Sequence, residues 1–398
     1  MSKKKRLTLL IVAVIILATG GFAAYRLLKD TKTAIVPSAG KTVAEQKKDT
    51  TPNQLVFAAM GDQLAHDSVV AQAKTGSTYD FTPYFTAIRP LYATADVVFC
   101  NPETIAAGEQ LGVSGYPTFN APNEFARDLV KGAGCNLINL ASNHTNDKHQ
   151  AGIDANLDVW TKLPILAYSG SNRSAKEQQT IHYFTKNGIK VAFLAYSDYS
   201  NDTNLTSYGL NIYHNDTLFS SQLKEARANA DAVIVSMHWG TEDSGTVNSD
   251  QIASAQRAAD LGADVVIGTG PHVLQKTVWL NGANGKRTLV WYSIGNMLSS
   301  QLAINELTGG IAGFTLVKET NGVKVEDPTL KATFMSYDWP AADRAAEKLT
   351  TRSNLKLQPL ADATGKPEAM FGSSYSVSER TKYVHNAIGT DGGVTFTP

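Results

Sequence analysis

Two cysteines in 398 residues, Cys100 and Cys135, are too few for a disulfide framework. Each sits in an apolar, strand-like stretch, so a single bridge is open to them without being required. An excess charge of one sign is missing too. Lys and Arg total 36, as do Asp and Glu, which gives no sign of a nucleic-acid-binding protein. Charged residues make up only 18% of the chain and apolar ones 43%. That balance excludes wholesale disorder and suffices for one large globular domain with appendages. No internal repeat is present.

The neutral total hides an asymmetry. Residues 1–52 carry ten basic and three acidic side chains, a net of +7, which leaves 26 against 33, or −7, for residues 53–398. Lys3, Lys4, Lys5 and Arg6 precede an uncharged stretch over 7–25, long enough to cross a bilayer as a helix with its basic flank cytoplasmic. A cleaved signal peptide is the competing reading, since Ala18-Thr19-Gly20 and Ala23-Ala24 offer small residues, but the run exceeds a usual signal core. No cysteine lies near it, which excludes lipoprotein modification. The expected organisation is a basic segment and transmembrane anchor over 1–29 and a flexible linker over 30–52. A main domain follows over 53–340, outside the cell membrane. Residues 341–398 turn polar and lose periodicity, which reads as a peripheral or loosely ordered C-terminal extension.

Within the main domain, short apolar runs alternate with amphipathic stretches. Residues 55–60, 97–100, 137–140, 191–196, 232–237 and 264–268 read as strands covered on both faces. Helices fit 82–94, 123–132, 151–162, 217–229 and 250–261, the last two capped by Asp216 and Ser249. Asn187-Gly188, Asn281-Gly282, Asn284-Gly285 and Asn321-Gly322 mark hairpins. The fold class is therefore α/β with a mixed sheet.

Side chains of metal-ligand type follow five of these strands, on the side of an open α/β sheet where ligands gather. They are Asp62 and His66, then Asn101 and Glu103, then Asn143, His144 and Asp147, then His238, and last His272. Taken singly, Asn143 reads as a helix cap, His238 as a satisfied core histidine and Glu103 as the partner of a lysine. Five clusters in succession point to a site. Carboxylate, amide and imidazole together suit a divalent ion such as Mn²⁺, Zn²⁺ or Fe²⁺.

Further stretches accompany them: Ser114-Gly115-Tyr116-Pro117, Phe119-Asn120-Ala121-Pro122, His238-Trp239-Gly240-Thr241-Glu242, Tyr292-Ser293-Ile294-Gly295-Asn296 and Ser299-Ser300-Gln301. Their order and spacing over residues 53–335 resemble the CapA family of capsule and poly-γ-glutamate synthesis proteins. The fold of that family is similar to that of the calcineurin-like metallophosphoesterases. The resemblance implies an αββα sandwich with a cleft at one end. It implies Asp62 as the first metal-binding aspartate, Glu103 as a bridging carboxylate and Asn143 as the amide ligand. His238 would serve the second metal and His272 the first, while His144 would contact substrate and protonate a leaving oxygen.

Two positions depart from the pattern. Leu64 stands where metallophosphoesterases have a histidine, leaving His66 as the nearest imidazole, and Gly270 stands where the family has another. Fewer than two tightly bound metals are therefore expected, with His66, Asp147 and His149 as accessory groups, and a histidine restored at position 270 is expected to raise the metal content. The implied function is synthesis, export or anchoring of capsule or poly-γ-glutamate at the cell envelope. Its chemical form would be a metal-dependent hydrolase or transferase, its partners an anionic polymer and membrane synthase or export proteins. The alternatives are a non-catalytic polymer-binding or assembly factor, which Gly270 favours, and a phosphoesterase of another substrate. A net charge of −7 does not draw a polyanion by its overall field, so a polymer site must rely on local basic groups or the metal.

Overall fold

A computed structural model describes residues 53–283 and 285–398. The expected anchor, the linker and Asn284 lie outside them. No helix among the described residues is long and apolar enough to cross a membrane.

The apolar runs assemble into two large mixed sheets. The nine-stranded sheet runs in the order Ser353–Pro359, Gly322–Asp338, Thr308–Glu319, Gln54–Gln63, Val97–Pro102, Leu137–Asn139, Ala167–Ser169. Gln54–Gln63 is the divide, antiparallel to Thr308–Glu319 on one side and parallel to Val97–Pro102 on the other. Two short strands complete this sheet: Asn296–Leu298 beside Gln54–Gln63, and Thr395–Thr397 beside Gly322–Asp338. The six-stranded sheet runs Thr277–Asn281, Arg287–Trp291, Val265–Thr269, Ala232–His238, Ile189–Ser197, His182–Lys186. Its inner pairings are parallel and its two edges antiparallel.

Side-chain alternation explains how the sheets pack. Val191, Phe193 and Ala195 point into the core shared with the larger sheet, where Phe193 meets Phe99 edge-on at 6.1 Å. The intervening Ala192, Leu194 and Tyr196 point the other way, into a second core with Leu218, Phe219 and Leu223 of helix Asp216–Asn229 and Ala255 and Ala258 of helix Ser249–Asp260. Parallel strands buried on both faces leave the polar strand ends as the place for chemistry. Cys100 and Cys135 form a disulfide between strand Val97–Pro102 and the approach to its neighbour Leu137–Asn139.

Three sequence expectations need correction. The helix over 82–94 is broken into Thr82–Phe85 and a 3-10 turn at Arg89–Tyr92, because Pro90 has no amide proton to continue it. The caps of the two long helices are Asn215 and Asn248, whose side chains accept from the amides of Leu218 and Gln251, each one residue before the expected Asp216 and Ser249. Residues 341–398 are not a loose tail. Ser353–Pro359 and Thr395–Thr397 pair with Gly322–Asp338, and Leu355, Leu357, Leu360, Val384 and Ile388 are buried in the shared core. The alternation of Leu355 and Leu357 within a polar stretch is the sequence sign of this packing. Hairpins form as expected at Asn187-Gly188 and around Asn321-Gly322.

Candidate metal centre

The carboxyl ends of strands from both sheets converge. Gln54–Gln63 delivers Asp62, Val97–Pro102 ends just before Glu103, Ala232–His238 ends on His238, and Val265–Thr269 leads through Gly270 to His272. Asp62, Glu103 and His238 bring one ligand atom each to within 4.8 Å of one another, and all three are buried. His238 Nε2 stands 3.6 Å from Glu103 Oε1 and 3.0 Å from Asn143 Oδ1. His272 Nδ1 lies 3.1 Å from Asp62 Oδ2 and 3.7 Å from Glu103 Oε2. All five expected metal ligands therefore meet.

Asp62 is held by Asn101, one of the strand-end residues, and through it by Asn139, which no strand-end motif singles out. Asn101 Nδ2 donates to its Oδ1 at 2.6 Å, and Asn139 Nδ2 donates in turn to Asn101 Oδ1 at 2.7 Å, all fully buried. Asn296 Oδ1 stands 3.1 Å from His272 Nδ1. Such partners orient ligands and are found by tertiary approach, not by local spacing.

Glu103 decides whether these residues suit a cation. It is 1% exposed, yet among the described residues neither carboxylate oxygen has a hydrogen-bond partner. An unsatisfied buried carboxylate is costly unless a cation meets it. Burial first, then the charges of Asp62, Glu242 and Asp147, push its carboxyl well above the usual range, against the pull of His272. Burial likewise disfavours the charged form of His272, but Glu103 and Asp62 outweigh it and raise its imidazole to about 10. His238 is driven by burial down to about 4, so it is neutral and free to ligate. Two oxygen donors, an amide and two imidazoles fit a divalent ion.

His144, next to Asn143, has partners of its own. Asp147 Oδ2 is 2.7 Å from its Nδ1 and Phe119 packs edge-on at 4.7 Å. The accessory expectations divide. Asp147 belongs to the site, through His144. His66 forms wall: its Nδ1 accepts from the Ser300 amide at 3.4 Å, its ring abuts Phe119, and burial holds it neutral, down to about 3. His149 does not compensate for a lost ligand, because its side chain is 58% exposed and pairs with Asp202.

The model of the family described as bacterial capsule synthesis protein PGA_cap matches residues 56–301, well over half of the chain. The chain belongs to this family. The capsule biosynthesis protein CapA of Bacillus anthracis is 31% identical over 179 residues, 43% of this chain and 42% of that protein. The PGA biosynthesis protein CapA of Bacillus subtilis (strain 168) is 26% identical over 274 residues, 66% of this chain and 68% of that protein. The first alignment thus spans less than half of its relative. Among solved structures, the calcineurin-like phosphoesterase YfkN from Bacillus subtilis aligns at 13% identity and a TM-score of 0.41, over 71% of this chain and 91% of that one.

Gly270 sits under a local constraint. Its φ is +104°, and a Cβ there would stand 2.8 Å from the Trp239 carbonyl oxygen and 3.2 Å from His238 Nε2. The expectation that a restored histidine supplies a second-metal ligand therefore meets backbone that cannot yield cheaply. Gly270→His is expected to lower stability by about 1–3 kcal/mol and to leave metal per chain no higher than in the native protein. Thermal melting and elemental analysis after dialysis check both; a well-folded variant holding more metal would refute the steric argument.

Proposed function

We propose that this chain is a membrane-anchored envelope protein whose cleft carries out metal-dependent hydrolysis or group transfer in the synthesis, export or anchoring of an anionic capsule polymer of the poly-γ-glutamate type. Membrane synthase or export proteins are its proposed partners. In this reading the two facing sheets are the sandwich of the metallophosphoesterases, with a main domain over 53–340 and its extension over 341–398. The observation that carries it is Glu103, whose buried carboxylate has no hydrogen-bond partner among the described residues and stands beside Asp62 and His238.

Asp62, Glu103, Asn143, His238 and His272 would hold the ion. A divalent ion there supplies Lewis acidity and a more acidic bound water. The remaining work belongs to side chains. Asp147 accepts from His144 Nδ1–H, which fixes the tautomer and leaves Nε2 for the substrate. When protonated, Nε2 donates to a leaving oxygen, and Asp147 steadies the resulting charge balance. Phe119 blocks rotation of the ring. Gly270 favours a second reading, in which the same cleft binds polymer without catalysis.

Complementation of a strain lacking the gene separates the two readings. Asp62→Ala is expected to lose metal and polymer production together, while His144→Ala should keep its fold and metal content and still abolish production. A stably folded His144→Ala protein with undiminished polymer output would leave only the assembly role. In the same strain, a reporter at Lys41 should lie outside the membrane and stay attached; release of a shortened chain would overturn the anchor.

A further inference from the structure

Asn143 can serve a metal only if its oxygen, not its nitrogen, faces the cluster, and an amide is nearly symmetric in shape. Its orientation must come from what surrounds it. Oδ1 faces His238 Nε2 at 3.0 Å, while Nδ2 faces two oxygens at 3.5 Å each, Asn201 Oδ1 and Glu242 Oε1. We propose that Asn201 and Glu242 are positioning residues for the metal centre, a clamp of two acceptors that turns the Asn143 carbonyl oxygen toward the ion. The inference rests on the metal-centre reading above and adds two residues that touch no ligand atom themselves.

The clamp is built from two loops. Asn201 follows strand Ile189–Ser197 and is anchored by its own backbone amide, which donates to the Asn143 carbonyl at 2.9 Å. Its side-chain nitrogen stands 3.4 Å from His144 Nε2, the ring nitrogen left as acceptor by the Asp147 contact, so its oxygen is the atom left to face Asn143. Glu242 follows strand Ala232–His238, and the Tyr199 hydroxyl donates to the same Oε1 at 3.4 Å. Each contact to Nδ2 is long and weak by itself. Orientation depends on the contrast between the two flips. Turning the Asn143 amide over would press its oxygen against a carboxylate and an amide oxygen, and would aim two N–H groups at the cations and imidazoles of the cluster. Both changes oppose metal binding. Asn201 and Glu242 are exposed, so replacing them leaves the core untouched.

The experiment titrates metal-stripped protein with Mn²⁺ by calorimetry, with melting temperature measured on each unloaded protein. Glu242→Gln keeps an acceptor oxygen and loses the charge, whereas Glu242→Ala loses both, so comparing them isolates orientation from field. Glu242→Gln should bind Mn²⁺ several-fold tighter than Glu242→Ala. Asn201→Ala/Glu242→Ala should bind it about 10–100-fold more weakly than the native chain, the usual range for such outer partners, at an unchanged unloaded melting temperature. Equal affinity of the two Glu242 variants, with the double variant near native, would overturn the clamp while leaving the metal centre standing. A native chain that binds no Mn²⁺, or an Asn143→Ala variant that binds it undiminished, would overturn the metal reading of Asn143 and the clamp with it.

Discussion

Adding Mn²⁺ to the metal-stripped protein should raise its melting temperature more at about pH 8 than at about pH 5.5, because the ligands that must lose protons hold them tightly in the folded chain. His272 is raised from 6.5 to about 10, with burial opposing and Glu103 and Asp62 prevailing. Its stabilising contribution is complete below 6.5 and is lost as pH climbs through about 10. Glu103, raised by burial above its ordinary 4.5, acts in the same direction from a lower starting point. Asp62 opposes them. Burial resists its ionisation, but the His272 hydrogen bond and charge hold it below 3.8, so its contribution is present above that value and lost on acidification. The metal-free fold therefore weakens from neutral toward alkaline pH, and a cation that replaces the protons gains over the same window. At a thousandfold excess over its dissociation constant the ion adds about 4 kcal/mol, or roughly 5–6 °C at the specific unfolding entropy of a domain this long. Equal shifts at the two pH values, or a larger one in acid, would refute this assignment of protons.

Replacing Cys100 and Cys135 together by alanine should lower stability by about 4 kcal/mol in the chain-entropy account, since the bridge closes a loop between residues 35 apart in sequence. Both cysteines are fully buried, so each alanine also leaves a sulfur-sized gap. Urea unfolding of native and double-variant protein without reductant measures the difference. A loss under about 1 kcal/mol would show that the unfolded chain gains little from being cut free. The bridge suits an oxidising compartment, which agrees with the proposed placement of the domain outside the membrane.

The candidate ligands are legible because each follows an apolar run closely: Asp62, Glu103, Asn143, His238 and His272 stand at or just beyond strand ends, where parallel sheets collect polar groups. What orients them is not. Asn139 completes a buried relay through Asn101 to Asp62 across three neighbouring strands, and although Asn101 stands in a strand-end cluster, nothing in local spacing marks Asn139 or its role in the relay. Asn201 and Glu242 reach Asn143 across 58 and 99 residues of sequence. The missed caps fail for a smaller reason. Asn215-Asp216 and Asn248-Ser249 each place two good capping residues side by side, and only backbone geometry chooses between them.

The family match stops at residue 301, but the hydrogen bonding of the sheet does not. Gln54–Gln63, which carries Asp62, has Thr308–Glu319 along one flank from Gln54 to Met60, and that strand leans in turn on Gly322–Asp338, which pairs with Ser353–Pro359. The limit of kinship in sequence is thus not a limit of cooperative structure. A polypeptide cut at the edge of the recognisable family would present residues 54–60 of the aspartate-bearing strand as a bare ladder of amides and carbonyls on that flank, open to pairing with its own copies. The stretch beyond the family match is the part that pairs this flank of the strand.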